Sequence, residues 1–126
     1  MKTISEIKSM VTSLPNVVLD YPFGKDVAVY KIVDSRESTA DKEEKSEKMF
    51  ALVAEGSSPV RLSLKCDPQL AELLREKYDV VLPGYHLNKK HWNTIVCSGQ
   101  LPDDELQDLI RHSYELVSST LVDQSK

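Results

Sequence analysis

Apolar residues at the start of the chain recur every three or four positions, which is the spacing of the buried stripe of an amphipathic helix. The residues of this stripe are Ile4, Ile7, Met10, Val11 and Leu14. Pro15 and Asn16 are expected to end the helix. Residues 17–20 and 27–33 are rich in β-branched side chains and predict two strands around a turn at residues 22–24. The chain therefore opens with a helix followed by a β-meander.

Two more strands are predicted at residues 49–54 and 60–65, separated by a turn that contains Gly56 and Pro59. In the second strand apolar and polar residues alternate, so one face is expected to be buried and the other to meet water. The polar positions are Arg61, Ser63 and Lys65.

The second half of the chain begins with Asp67 and Pro68, a pair typical of a helix start. Short strands are then predicted at residues 80–82 and 94–97, and a final helix from near Pro102. This order predicts an α+β fold, a two-layer sandwich in which helices pack on an antiparallel sheet. We expect a single domain over residues 1–122 and a frayed tail at residues 123–126.

Residues 34–48 differ from the rest of the chain, because they include six acidic and four basic residues and no large apolar side chain. Such a segment cannot bury enough surface to order itself, and a long mobile loop is predicted. A short polar helix is the alternative.

The composition is that of an ordinary globular protein, with 40% hydrophobic and 29% charged residues. No apolar run approaches the ~18 residues of a membrane span, and the first residues lack a signal-peptide core, so a cytoplasmic protein without membrane association is expected. The net charge of −4 argues against indiscriminate coating of nucleic acid, so any such site must be a local patch. Cys66 and Cys97 lie in strand-like runs and are expected to be free, buried thiols.

Residues 84–93 combine aromatic, cationic and amide side chains, which are the types that contact nucleic acid and other anionic ligands. Alternatives remain: Trp92 can be a core residue, and the two histidines can stabilise the loop by hydrogen bonds to backbone carbonyls. The candidate nucleic-acid-binding residues of this loop are Tyr85, His86, Asn88, Lys89, Lys90, His91, Trp92 and Asn93. Arg61, Lys65 and Arg75 would support them if the fold brings these residues to the same side.

The sequence gives less support for metal binding, catalysis or a cofactor. Cys66, His86, His91 and Cys97 match no familiar zinc spacing, so no metal site is expected. No nucleophile elbow, phosphate loop or dinucleotide fingerprint is present, so neither catalysis nor a cofactor is predicted. The acidic pair at residues 103–104 is explained by its place at a helix start.

Six blocks of the sequence, in order and spread over nearly the whole chain, resemble the MmcQ/YjbR family. The blocks are residues 21–24 (YPFG), 48–52 (KMFAL), 63–68 (SLKCDP), 83–94 (PGYHLNKKHWNT), 101–106 (LPDDEL) and 112–114 (HSY). The resemblance implies a compact two-layer domain with an antiparallel sheet, similar in outline to secretion-chaperone-like folds and also called a double-wing DNA-binding fold. It also implies DNA binding, the role predicted for the family. The charged segment before residue 48 is longer than the tight connection expected in the family.

Three functions follow from these observations. The first is a DNA-binding protein, monomeric and non-catalytic, that uses the loop at residues 84–93. The second is a protein-interaction module that presents its sheet face or a helix groove, for which a broad apolar surface patch would be the sign. The third is a small-anion or enzyme site built from Tyr85, His86 and His91, which would need a pocket where these side chains meet.

Overall fold

The computed structural model describes residues 3–33, 47–84 and 87–123 of the chain. Within these residues the chain forms three helices and six strands. In chain order they are α1 (Ile4–Thr12), β1 (Val17–Asp20), β2 (Val27–Val33), β3 (Glu47–Ala54), β4 (Arg61–Lys65), α2 (Pro68–Lys77), β5 (Val81–Pro83), β6 (Trp92–Val96) and α3 (Asp103–Asp123).

The six strands form one antiparallel sheet in the order β1-β2-β3-β4-β6-β5. All three helices contribute side chains to a single core on one face of this sheet, including Ile7 from α1, Leu74 from α2 and Ile110 from α3. The predicted α+β fold, an antiparallel sheet with helices packed on it, is confirmed. The opposite face of the sheet carries no helix among the described residues.

Local sequence explains where the first two helices begin. At α1 the hydroxyl of Thr3 accepts a hydrogen bond from the amide of Glu6, whose carboxylate accepts one from the Thr3 amide in return. At α2 the Asp67 carboxylate accepts hydrogen bonds from the amides of Gln69 and Leu70. These contacts satisfy amides that have no partner within the helix, so the predicted start of α2 at Asp67 and Pro68 is confirmed.

A buried serine joins α3 to the sheet. The pairing of β3 with β4 ends at Ala51 and Leu64, and a register shift opposite β2 marks a bulge beside Phe50. The hydroxyl of Ser113 on α3 is inserted at this point, donating to the Phe50 carbonyl at 2.6 Å and accepting from the Lys65 amide at 3.0 Å. The side chain thus replaces the next rung of the ladder, and two backbone groups that would otherwise be unpaired are satisfied.

The aromatic residues beside this serine hold the same helix against the start of the sheet. The rings of Phe50 and Tyr114 meet edge to face with their centroids 5.5 Å apart. The Tyr114 hydroxyl donates to the carbonyl of Pro15 at 2.6 Å, so α3 also contacts the connection between α1 and β1.

The two edges of the sheet are short. The strand β5 has three residues and ends in Pro83, and β1 at the other edge has four residues. Proline cannot donate a ladder hydrogen bond and is typical of edge strands.

Two predicted boundaries differ from the structure. Glu47 and Lys48, predicted as the end of the long loop, belong to β3 because their backbones pair with Val33 and Ile32. The strand β6 begins at Trp92 rather than residue 94, because its first residues pair with β4 and β5. The rest of the predicted loop, residues 34–46, lies outside the described residues. The helix α3 ends at Asp123, and residues 124–126 of the predicted frayed tail also lie outside the described residues.

None of the helices in the described residues is both long and apolar enough to cross a membrane. Cys66 and Cys97 are free thiols and both are buried, as expected from their strand-like surroundings.

Replacing Ser113 with Ala should lower the free energy of unfolding by about 1–3 kcal/mol, because it leaves the Phe50 carbonyl and the Lys65 amide buried without a partner. Urea unfolding followed by circular dichroism measures the change. Ser119→Ala is the matched control, since the hydroxyl of this exposed serine donates to the Leu116 carbonyl of its own helix. A decrease no larger in S113A than in S119A would contradict this role of Ser113.

Stability should fall in alkali, because burial raises the pKa of the Cys66 thiol from 9.0 to about 11 and that of the Tyr30 phenol from 10.0 to about 12. Both groups are neutral when protonated, and their protons are held more tightly in the folded chain. Their contribution to stability is therefore complete below pH ~9 and is lost as the pH rises through these folded values. Urea unfolding at a series of pH values above about 8 should show the decline, and Cys66→Ala should make it shallower. An unchanged unfolding free energy up to pH ~11 would refute it.

Candidate binding surface

A compact turn precedes β6 and exposes two adjacent lysines. The Asn88 side chain accepts a hydrogen bond from the amide of Lys90 at 3.0 Å, and the Asn88 carbonyl accepts one from the amide of His91 at 3.2 Å. These bonds are the local closure typical of an asparagine turn. Asn88, Lys89 and Lys90 are all exposed, and we call these three residues the basic turn.

The basic turn is tied to α2 by Arg75, which is half-buried. Its Nε donates to Oδ1 of Asn93 at 2.7 Å, and its Nη2 donates to the carbonyls of Lys89 and, at 3.3 Å, of Trp92. The guanidinium, predicted as a support of the nucleic-acid site, therefore binds acceptors within the protein. Its role is to position the turn.

Trp92 and Asn93, two of the predicted contact residues, lie in the interior with 8% and 2% of their surfaces exposed. Asn93 also donates from Nδ2 to the Ala71 carbonyl at 3.3 Å, so its amide links α2 to β6. Trp92 is buried, as its alternative expects, but it pairs with Lys65 on the helix-free face and is not among the residues of the core between sheet and helices. Neither side chain offers a large exposed surface to a ligand.

Gly84 allows the backbone before the basic turn to pass very close to Trp92. Its amide donates to the Trp92 carbonyl at 2.9 Å. A Cβ atom added at Gly84 would stand 2.7 Å from the Cβ of Trp92, closer than such atoms approach in proteins. Only glycine fits here without a shift of the backbone.

His91 is half-buried at the junction of the turn and the sheet. Its carbonyl accepts a hydrogen bond from the Cys66 amide at 2.7 Å, so its backbone is fixed. Its imidazole makes no hydrogen bond to any residue that the structure describes. Tyr85 and His86 lie outside the described residues, and their proposed roles stay predictions. His91 lines neither the cavity bordered by Leu64 and Leu109 nor the one bordered by Arg61 and Thr94.

Lys65 and Arg61 lie on the helix-free face of the sheet, at opposite ends of β4. Lys65 pairs with Trp92, and the next residue along, Cys66, bonds to His91, so Lys65 lies beside the basic turn. Arg61 pairs with Val96 and is roughly 13 Å from Lys65 along the strand, at about 3.3 Å per residue. Of the predicted cations on β4, Lys65 therefore lies nearer the basic turn, and Arg61 belongs to a different site.

Arg61 lines a groove on the helix-free face of the sheet, with a volume of about 340 Å³. Its floor is mainly apolar, and the hydroxyls of Ser63 and Thr94 lie in it, 2.8 Å apart and hydrogen-bonded to each other. Phe23, with 68% of its surface exposed, and Leu87 also line it. The remaining lining residues are Val27, Met49, Leu52, Ala54 and Arg61. We call this the sheet groove.

The sheet groove was not predicted from the sequence, although a signal for it was present. The strands β2 and β3 are apolar at nearly every position, a pattern that predicts burial of both faces. Strands that are apolar on both faces need cover on both, and the described helices cover only one. Apolar residues at Val27, Leu52 and Ala54 are the ones left facing outward in the groove.

Comparison with known proteins places the chain among related bacterial sequences. A family model described as YjbR matches residues 12–116. The chain is 35% identical over 109 residues to the protein YjbR of Escherichia coli K12, covering 86% of this chain and 91% of that protein. It is 34% identical over 110 residues to the protein YbdF of Escherichia coli O157:H7, covering 87% and 80% respectively. Neither name states an activity.

Solved structures agree with these matches. The crystal structure of a Deinococcus radiodurans protein with the domain DUF419 superposes with a TM-score of 0.81 at 36% identity, covering 94% of this chain and 80% of that one. A crystal structure of a Pseudomonas syringae protein gives a TM-score of 0.67 at 28% identity, covering 92% and 98%. Because the family model and the relatives match over more than four fifths of its length, the chain belongs to the YjbR family.

Proposed function

We propose that this protein is a non-catalytic DNA-binding module that contacts backbone phosphates through Lys65, Lys89 and Lys90. The observation that carries the proposal is the attachment of the basic turn by Arg75, which holds the backbone of two exposed lysines in one arrangement. A preformed turn loses less conformational freedom on binding than a flexible one, so more of the phosphate attraction is retained as affinity.

The arrangement of the basic turn also indicates which kind of contact with DNA is possible. Trp92 is buried and cannot stack on a base, and Arg75 is occupied by carbonyls of its own chain. The remaining groups are lysine ammoniums, which bind phosphates as point charges and carry little sequence information. The proposed binding is therefore weakly sequence-selective, and its affinity falls as salt rises, because each phosphate that a lysine neutralises releases bound counterions.

Replacing both Lys89 and Lys90 with Glu should abolish or strongly weaken duplex DNA binding. In a milder variant, Lys89→Gln with Lys90→Gln, the slope of log affinity against log salt should become shallower by about 1.8, or about 0.9 for each phosphate that is no longer neutralised. Fluorescence anisotropy with a labelled duplex at several salt concentrations measures both effects. Single-stranded DNA and RNA of the same length serve as comparison ligands.

The matched control is Lys8→Glu with Lys25→Glu, which changes two exposed lysines elsewhere on the chain. Each Lys→Glu change alters the charge by −2, so this control and the Glu variant of the turn both move the net charge from −4 to −8. Only the turn variant should show a large decrease in binding. Equal decreases in the two proteins would mean that net charge, rather than the basic turn, controls the interaction.

Protein interaction is a second candidate, because the helix-free face carries exposed apolar side chains. Val18, Phe23 and Leu82 are 40%, 68% and 38% exposed, and the strand register places Val18 and Leu82 on that face. Exposed apolar side chains on a sheet face that no described helix covers are a feature expected of an interaction module. A stable dimer by light scattering without nucleic acid would favour this candidate, and a monomer at all accessible concentrations would weaken it.

A further inference from the structure

We propose that the sheet groove is a binding site for a small amphipathic anion, with an apolar body on the groove floor and a carboxylate or similar head group on Arg61. The head-group position at Arg61 lies at the end of β4 away from the basic turn, whereas the groove floor reaches Leu87, the residue before that turn. The proposal does not depend on DNA binding.

The floor of the groove selects an apolar body. Val27, Leu52 and Ala54 come from β2 and β3, and no described helix covers them. The volume of about 340 Å³ lies in the range of ligand pockets, roughly 300–1,000 Å³. Covering this apolar surface removes it from water, which is the main favourable contribution to binding an apolar group.

The paired hydroxyls of Ser63 and Thr94 in the groove floor also favour a ligand with an apolar body. Ser63 and Thr94 are buried, and their hydroxyls hydrogen-bond to each other at 2.8 Å. Because each hydroxyl already has a partner within the protein, an apolar chain can lie across them without leaving this donor–acceptor pair unsatisfied. A ligand with polar groups along its whole length would gain little here.

Arg61 selects the head group. Its backbone is held between Ala54 of β3 and Val96 of β6, so the side chain starts from a rigid position at the end of the groove. Its guanidinium forms no ion pair or hydrogen bond with any residue that the structure describes. A guanidinium presents paired N–H donors that match the two oxygens of a carboxylate. The side chain is exposed, which limits this contact to a modest gain in affinity.

The test is a titration of the ¹⁵N-labelled full chain with octanoate, followed by two-dimensional NMR. Octan-1-ol and octyltrimethylammonium serve as the neutral and cationic counterparts with the same apolar body. Octanoate should shift amides of the groove, including those of Leu52, Ser63 and Thr94, in a saturable manner. It should bind more tightly than octan-1-ol, and octyltrimethylammonium should bind most weakly.

The deciding variant is Arg61→Gln, which should weaken octanoate binding by about threefold to fivefold, as the loss of an exposed ion pair does, while leaving octan-1-ol binding unchanged. Arg111→Gln, a change of an exposed arginine on α3, is the matched control and should leave both ligands unaffected. Ala54→Leu, which fills the floor, should weaken both ligands, and thermal unfolding confirms that each variant is folded.

Equal octanoate affinity in the wild type and in Arg61→Gln would overturn the proposal, since the head group would then not be recognised. Shifts scattered outside the groove would overturn it as well. So would concentration-dependent self-association through this face in the absence of ligand, because a second copy would then be the occupant. Lys89→Glu with Lys90→Glu should bind octanoate as the wild type does, so failure of the DNA proposal and failure of this one give different results.

Discussion

One guanidinium holds together the region on which the proposed DNA site depends. Arg75 joins α2 to the side chain of a buried asparagine in β6 and to carbonyls of Trp92 and Lys89. Hydrogen bonds from a charged donor are stronger than those between neutral groups, and three acceptors converge here on one side chain. The exposure of the two lysines therefore depends on a residue that does not itself face the ligand.

The elements of the fold were largely predictable, because they follow from local spacing. The stripe of α1 and the start of α2 at Asp67 each depend on residues close in sequence, and both predictions agree with the structure. The prediction that the polar face of β4 meets water is wrong at Ser63, which is buried between Arg61 and Lys65. The start of β6 was placed two residues late, because Trp92 and Asn93 are defined as strand by partners in β4 and β5. Pairing between strands distant in sequence leaves no local signal.

The candidate site was predictable only in part, and for the same reason. Residue type alone favoured contact roles for Arg75, Trp92 and Asn93, but their tertiary neighbours give them structural roles. Lys89 and Lys90 are exposed, as a turn rich in polar residues suggests. Arg61 was grouped with these lysines by charge, and only the register of β4 shows that it lies at the far end of another site. Predicting the sheet groove would have required knowing which face of the sheet the helices cover.

The short edges of the sheet limit the ways in which this protein can recognise anything. An outer strand of three residues that ends in proline gives a neighbouring polypeptide few main-chain groups to pair with, and the outer strand on the other side is hardly longer. Lengthening the sheet by adding a foreign strand is thereby disfavoured, as is runaway stacking into fibrils. Selectivity must then come from the side chains on the broad surface, where single substitutions can change the preferred ligand while the hydrogen-bonded framework stays the same.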